Sequence, residues 1–141
     1  MTGYVTGLNI EPNPPHFQAT YIYKTTNGGI NWTTHNLGGE PQLWTSGVYF
    51  LNALTGFVGG GQYSTMTGQI FKTTNGGINW QLITNQYSIA KLQFADNTNG
   101  YGLAANNTSG NGILIRTTDG GNNWSVFATP TDSLIGMHFL N

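Results

Sequence analysis

Five carboxylates, three imidazoles and one guanidinium carry most of the reactive chemistry in this 141-residue chain. The acids are Glu11, Glu40, Asp96, Asp119 and Asp132. A glycosidase would need two of them flanking a sugar, one to protonate the leaving oxygen and one to attack or to activate water. No two share a telling spacing. Glu11 and Glu40, both in variable loops, are the pair that could meet. His16, His35 and His138 lack the i, i+4 spacing of a metal-binding pair. No Ser/His/Asp set stands out from the many serines and threonines. Residues 59–63, Gly-Gly-Gly-Gln-Tyr, lack the lysine and the following helix of a phosphate-binding loop, so they are read as close packing and a turn. The expectation is a protein that is not an enzyme, with no catalytic residue, no metal and no cofactor.

The elements that would have to position any site are repeated. Residues 25–32 read Thr-Thr-Asn-Gly-Gly-Ile-Asn-Trp, residues 73–80 read the same, and residues 117–124 read Thr-Thr-Asp-Gly-Gly-Asn-Asn-Trp. Trp32, Trp80 and Trp124 follow one another at intervals of 48 and 44 residues, in the range of propeller or solenoid repeats. A β-type run precedes each string, at residues 19–24, 68–72 and 112–116. The pairs Ile22/Lys24, Ile70/Lys72 and Leu114/Arg116 are read as an apolar face with the basic residue on the solvated one. A second short run follows each tryptophan. The string is therefore the turn of a β-hairpin, its glycines supplying positive φ.

Two further strand types complete the repeat. Residues 46–52 align with 90–96 and with 135–141; residues 55–60 align with 99–104 and with 2–7. Each unit is then four antiparallel strands, A to D from the innermost outward, in about 45 residues, the make-up of a propeller blade. The chain reads B-C-D, A-B-C-D, A-B-C-D, A, or three blades' worth. The first blade spans 1–36 plus the C-terminal strand 133–141, the second 44–85 and the third 88–129. The connections at 9–17 and 37–44 vary most, and function tends to sit on such loops.

Composition agrees with many short strands. Charged residues are 6% and aromatics 13%, with 21 glycines. The aromatic content argues for a packed core rather than disorder. A net charge of −1, with Lys24, Lys72, Lys91 and Arg116 scattered, gives no electrostatic case for nucleic acid. The absence of cysteine excludes a disulfide framework. No apolar run approaches the ~20 residues of a membrane-spanning helix, so membrane insertion is not expected. No signal peptide is visible. Four Asn-x-Ser/Thr matches are what an Asn- and Thr-rich chain produces by composition.

The repeated string resembles the Asp-box, or BNR repeat, written Ser-x-Asp-x-Gly-x-Thr-Trp. Thr25, Thr73 and Thr117 stand at its Ser position; Asn27, Asn75 and Asp119 at its Asp; Gly29, Gly77 and Gly121 at its Gly; and Trp32, Trp80 and Trp124 at its Trp. The flanking pattern looks most like photosystem II assembly-factor-type propellers and related bacterial secreted propellers. The resemblance implies an all-β propeller, with the box fastening a hairpin at the blade periphery and the tryptophan packed in the core beneath it. It also makes an extracellular or periplasmic location the favoured one. Function does not follow from it, because sialidases, receptors, lectins and scaffolds share the box. A sialidase-like site would need an arginine cluster, and Arg116 is the chain's one arginine.

Function is expected where the copies differ. Strand A lines a propeller's channel, so Tyr49, Gln93 and His138 face the channel or its mouth. Trp44 has Ser88 and Ser133 at its equivalents, so the repeat does not require an aromatic there. With Tyr49, Tyr63 and the Pro-rich segment at 9–17 it forms the candidate surface for a glycan or a protein partner. Three blades alone hardly close a circle. Copies are expected to join head to tail, the terminal strand of one completing the first blade of the next. A six-bladed dimer is favoured over a nine-bladed trimer or an open filament. The chain is otherwise a segment of a longer propeller. The leading functional reading is a non-enzymatic binding or scaffold propeller; the second is a glycan-binding lectin using Trp44; the third is a glycosidase.

Overall fold

The computed structural model describes residues 1–10, 18–37, 43–62, 67–105, 111–130 and 136–138. Among the described residues the fold is all-β, with eleven strands in three antiparallel sheets and no helix. The first sheet holds β1 (Gly3–Ile10), β2 (Gln18–Thr25) and β3 (Thr33–Asn36). The second holds β4 (Leu43–Phe50), β5 (Gly56–Gln62), β6 (Gly68–Thr73) and β7 (Gln81–Thr84). The third holds β8 (Ser88–Phe94), β9 (Gly100–Ala105), β10 (Gly112–Thr117) and β11 (Ser125–Ala128). Spatial neighbours within each sheet are also sequence neighbours. Short connections and alternating patterns favour this local pairing.

Side-chain atoms close the turns. Between β4 and β5, Asn52 Oδ1 accepts the N–H groups of Leu54 and Thr55 at 2.9 and 2.8 Å. Between β8 and β9, Asp96 Oδ1 accepts those of Thr98 and Asn99, both at 2.7 Å. β4 and β8 each carry a bulge, between Thr45 and Gly47 and between Ile89 and Lys91. An extra residue of this kind bends its strand. Gly47 sits there at a φ of 145°, which only glycine adopts readily.

The second sheet lies between the other two, and its inner strands β5 and β6 carry buried residues on both faces. Phe57 and Ile70 point to the third sheet and pack with Ile89, Phe94, Ala104, Ile113 and Ile115. Val58 and Phe71 point the other way and pack with Ile22 of the first sheet. β5 is buried throughout residues 56–61. Its glycines make that possible. A Cβ at Gly59 would penetrate the Ile89 side chain, and one at Gly61 would penetrate Ser88. The expected turn at residues 59–61 is thus corrected: they lie within β5, and their smallness lets the third sheet approach.

Three further expectations change. Side chains two apart in a strand share a face, so Ile22 and Lys24 both point at the second sheet, and Ile70 and Lys72 both at the third. Lys24 Nζ donates to Gly76 O at 2.6 Å, and Lys72 Nζ to Gly120 O at 2.7 Å. The lysines are ties between sheets rather than solvated side chains. The tryptophans are not core residues either. Trp32 is 44% exposed, and Trp80 and Trp124 are half-buried at the margins of the apolar clusters. They stand edge-on against a phenylalanine of the first strand in their own sheet: Phe50–Trp80 at 6.1 Å and 85°, and Phe94–Trp124 at 5.8 Å and 85°. Finally, residues 136–138, the described part of the expected strand 133–141, are not in a strand.

Gly59→Ala should lower stability by about 1–3 kcal/mol through overpacking against Ile89. Gly136→Ala, where a Cβ meets nothing within 4 Å, should not. Urea unfolding followed by circular dichroism would separate the two as a shift in midpoint for the first alone.

Candidate functional site

Each repeated string links the last two strands of its sheet, and one hydrogen-bond cluster builds all three turns. The buried threonine hydroxyl accepts the N–H of the second glycine: Gly29 to Thr25, Gly77 to Thr73 and Gly121 to Thr117, each at 2.9 Å. The same hydroxyl donates to the next side chain but one: Asn27 Oδ1 at 2.9 Å, Asn75 Oδ1 at 3.0 Å and Asp119 Oδ1 at 2.8 Å. That oxygen also accepts the N–H of the residue before the tryptophan, at 2.9, 2.9 and 3.0 Å. At Oδ1 asparagine serves as well as aspartate because these bonds need only an acceptor, while Asp119 Oδ2 additionally accepts from Asn123 Nδ2 at 2.7 Å. Both glycines of every turn have positive φ, between 66° and 92°. The first glycine's N–H donates to the neighbouring turn of its own sheet, to Leu54 O at 2.8 Å and Thr98 O at 2.9 Å, or in the first sheet to Met1 O ahead of β1 at 2.9 Å.

Such turns contain the right atoms for chemistry but spend them on structure. Asp119 is held well below the usual carboxylate range, first by its bonds from Asn123 and then by that from Thr117. Asp96 is depressed likewise by hydrogen bonds from Asn99 and Thr98. A general acid needs the opposite shift, toward neutrality. Lys72 is pulled below its ordinary value by burial, with Asp119 opposing that shift. Its two short bonds, to Gly120 O and to Asn122 Oδ1 at 2.7 Å each, compensate the lost hydration.

The open cleft nearest the expected channel face lies between β4 and β8. Its volume is about 240 Å³, and Ser46, Gly47, Val48, Tyr49, Lys91 and Leu92 line it. The two bulges place it, since Ser46 is one of the extra residues and Lys91 follows the other. Its polar groups have partners within the chain. Ser46 Oγ donates to Gly59 O at 3.0 Å, Tyr49 Oη to Phe94 O at 3.4 Å, and Lys91 Nζ to Met137 O at 2.6 Å. The lining offers an ammonium and two hydroxyls but no carboxylate or imidazole. It can hold a small polar group by hydrogen bonds, and it lacks a proton-transfer pair.

The sequence-derived binding residues do not form one surface. Tyr49 lines the cleft, but its ring stacks on Phe94 at 5.7 Å and 18°. Gln93 is half-buried on β8, opposite Tyr101. His138 is exposed beyond the last strand. Trp44 is half-buried on β4, beside a crevice of about 10 Å³ lined also by Thr20, Gly60 and Phe71. That space is about one water's worth, too small for a sugar ring. Tyr63, Glu11, Glu40, His16 and Asp132 lie outside the described residues. Ser46 and Lys91 were not expected at a site, because the bulges of β4 and β8 that place them show only in the strand registers. Among the described residues no three His, Asp or Glu side chains gather as a metal site. No family model, curated protein or solved structure matches the chain.

Thr73→Val should cost about 1–3 kcal/mol, because it leaves the buried Gly77 N–H without an acceptor. The folded-state depression of Asp96 and Asp119 gives a definite pH dependence. Their stabilising contribution is complete above their ordinary value of 3.8 and is lost as pH falls below it toward the depressed folded values. Asp119→Asn should keep the Oδ1 bonds that Asn27 and Asn75 also make, lower stability modestly at pH 7 because an amide nitrogen cannot accept from Asn123 Nδ2 as Oδ2 does, and weaken the loss on acidification. Thermal melts between pH 7 and pH 2 would check both parts.

Proposed function

We propose that the chain is a non-enzymatic scaffold β-propeller that assembles head to tail, most simply as a dimer closing a ring of six four-stranded blades. One observation carries the reading: among the described residues the first sheet has three strands where the second and third have four. Among the described residues no counterpart of β4 and β8 pairs with the first sheet, and β1 is its eight-residue edge. A long unpaired edge is a template for another strand. Residues 135–141 repeat the sequence pattern of the strands that fill this place in the other two sheets, and in a second copy they would complete the first sheet.

A binding or scaffolding role is supported by how the chain uses its polar groups. The described carboxylates and the half-buried Lys24 and Lys72 hold turns and sheets together. The surface offered to a partner is then expected from the segments where the repeats differ in sequence, residues 9–17 and 37–44. A heterologous contact of this type closes if the rotation per copy divides a circle and otherwise runs on as a filament.

Light scattering coupled to size exclusion should give twice the chain mass of 15.2 kDa. Deleting residues 133–141 should convert the dimer to a smaller, less stable species. A well-folded monomer at all concentrations for the intact chain would overturn the assembly.

A further inference from the structure

The contact between successive sheets is a repeated joint, made twice within the chain with the same parts. In the first, Tyr4 and Lys24 are cross-strand partners on β1 and β2. Both donate to Gly76 O of the second sheet, at 3.0 and 2.6 Å. The Tyr4 ring lies over the neighbouring glycine, so that a Cβ at Gly77 would sit 3.1 Å from Tyr4 Cε1. In the second, Phe57 and Lys72 are the cross-strand partners. Lys72 donates to Gly120 O at 2.7 Å, and the Phe57 ring occupies the space where Gly121 would carry a Cβ. In both joints the incoming ring also stacks on a phenylalanine of the receiving sheet: Tyr4 on Phe50 at 3.9 Å, and Phe57 on Phe94 at 4.5 Å.

The two ends of the series carry the two halves of a third joint. At one end, Tyr101 and Arg116 are the matching cross-strand pair on β9 and β10, on the face of the third sheet turned away from the second. The guanidinium lies 5.7 Å from the Tyr101 ring centre, as Lys24 lies 5.8 Å from Tyr4 and Lys72 5.6 Å from Phe57. Arg116 Nη2 donates to Asn99 Oδ1 at 3.2 Å and the guanidinium also lies 5.8 Å from the Phe127 ring centre, while Nε is buried without a hydrogen-bond partner. At the other end is the turn at Gly28 and Gly29, with φ values of 73° and 92°. A Cβ at Gly29 would meet only its own Trp32, where Gly77 and Gly121 meet the preceding sheet's ring. Trp32 is correspondingly the exposed member of the three tryptophans.

We propose that these halves meet between copies: Arg116 and Tyr101 of one chain dock on the Gly28–Gly29 turn of a second, with the Tyr101 ring on Gly29 and Arg116 donating to the Gly28 carbonyl. The occupant is a second copy of this chain because each half is complementary to the other by the chemistry of two joints already present in the fold. The interaction is a cation and a flat ring closing on a carbonyl and a bare glycine, so it gives register as well as attachment. This inference rests on the head-to-tail reading above and assigns the residues of its interface.

The natural variation among the joints sets the test. Arg116→Lys and Tyr101→Phe place in the third joint what Lys72 and Phe57 supply in the second, and both should keep the dimer. Arg116→Met, which retains the stem and removes the charge, should weaken dimerisation about tenfold or more in sedimentation equilibrium, as expected for loss of a charged hydrogen bond. Gly29→Ala fills the receiving slot and should do the same. Mixing Arg116→Met with Gly29→Ala should restore dimer, since one of the two interfaces in a mixed pair then has both halves intact. Rescue by mixing separates a joint from a folding defect. An intact chain that dimerises while Arg116→Met and Gly29→Ala dimerise equally well would overturn this joint and leave the head-to-tail reading standing. Failure of mixing to restore dimer would overturn the joint too. A monomeric wild-type chain would overturn both.

Discussion

The hydrogen bond from the second turn glycine to a buried threonine hydroxyl underlies the arrangement of the sheets. It is 2.9 Å long in all three turns. It holds two consecutive glycines at positive φ, a conformation that costs other residues roughly 1–2 kcal/mol each. The consequence reaches beyond the turn. A backbone without Cβ atoms presents a flat surface, and the first glycine's carbonyl points outward from it. Phe57 lies on one such surface and Tyr4 on another, while Lys72 and Lys24 cap the carbonyls. A local backbone preference thus becomes a docking surface for the next sheet.

The sheets are joined by apolar contact in the middle and by charge-assisted hydrogen bonds at the margin. Ile70 and Phe57 meet the third sheet in a dry layer, and the Lys72 ammonium closes that layer where it reaches the turn. Burial depresses the lysine, so its bonds have a real desolvation cost to offset. A lysine placed this way disfavours other packings, because a slipped register would strand its charge against apolar surface. The low charge content follows from this economy: the described cations with short bonds are committed to backbone carbonyls.

Much of this architecture is legible in the residues. The string at 73–80 marks a hairpin because Asn-Gly-Gly needs positive φ and the runs beside it alternate. The four-strand repeat can be read from the recurrence of its aromatics and glycines. The candidate site is much less legible. Tyr49 looks like a channel residue, yet its ring is spent on Phe94. Trp44 looks like a sugar platform, yet it borders a crevice of about 10 Å³. Lys91 gave no signal, because a lone lysine on a strand is ordinary until a bulge turns it toward a cleft.

The sequence by itself determined the turns, the strand order and the repeat, since these depend on interactions within a few residues along the chain. Only the tertiary structure decided what Lys24, Lys72 and the tryptophans do. Ile22 and Lys24 were expected on an apolar and a solvated face; the two-residue strand period puts them on one face, and no pattern says what that face meets. That depends on the distance and angle between sheets, which the glycines of β5 and the rings of Tyr4 and Phe57 set jointly through close packing. The same lysine is a solvated side chain on an isolated hairpin and a tie between layers once a second turn stands opposite it.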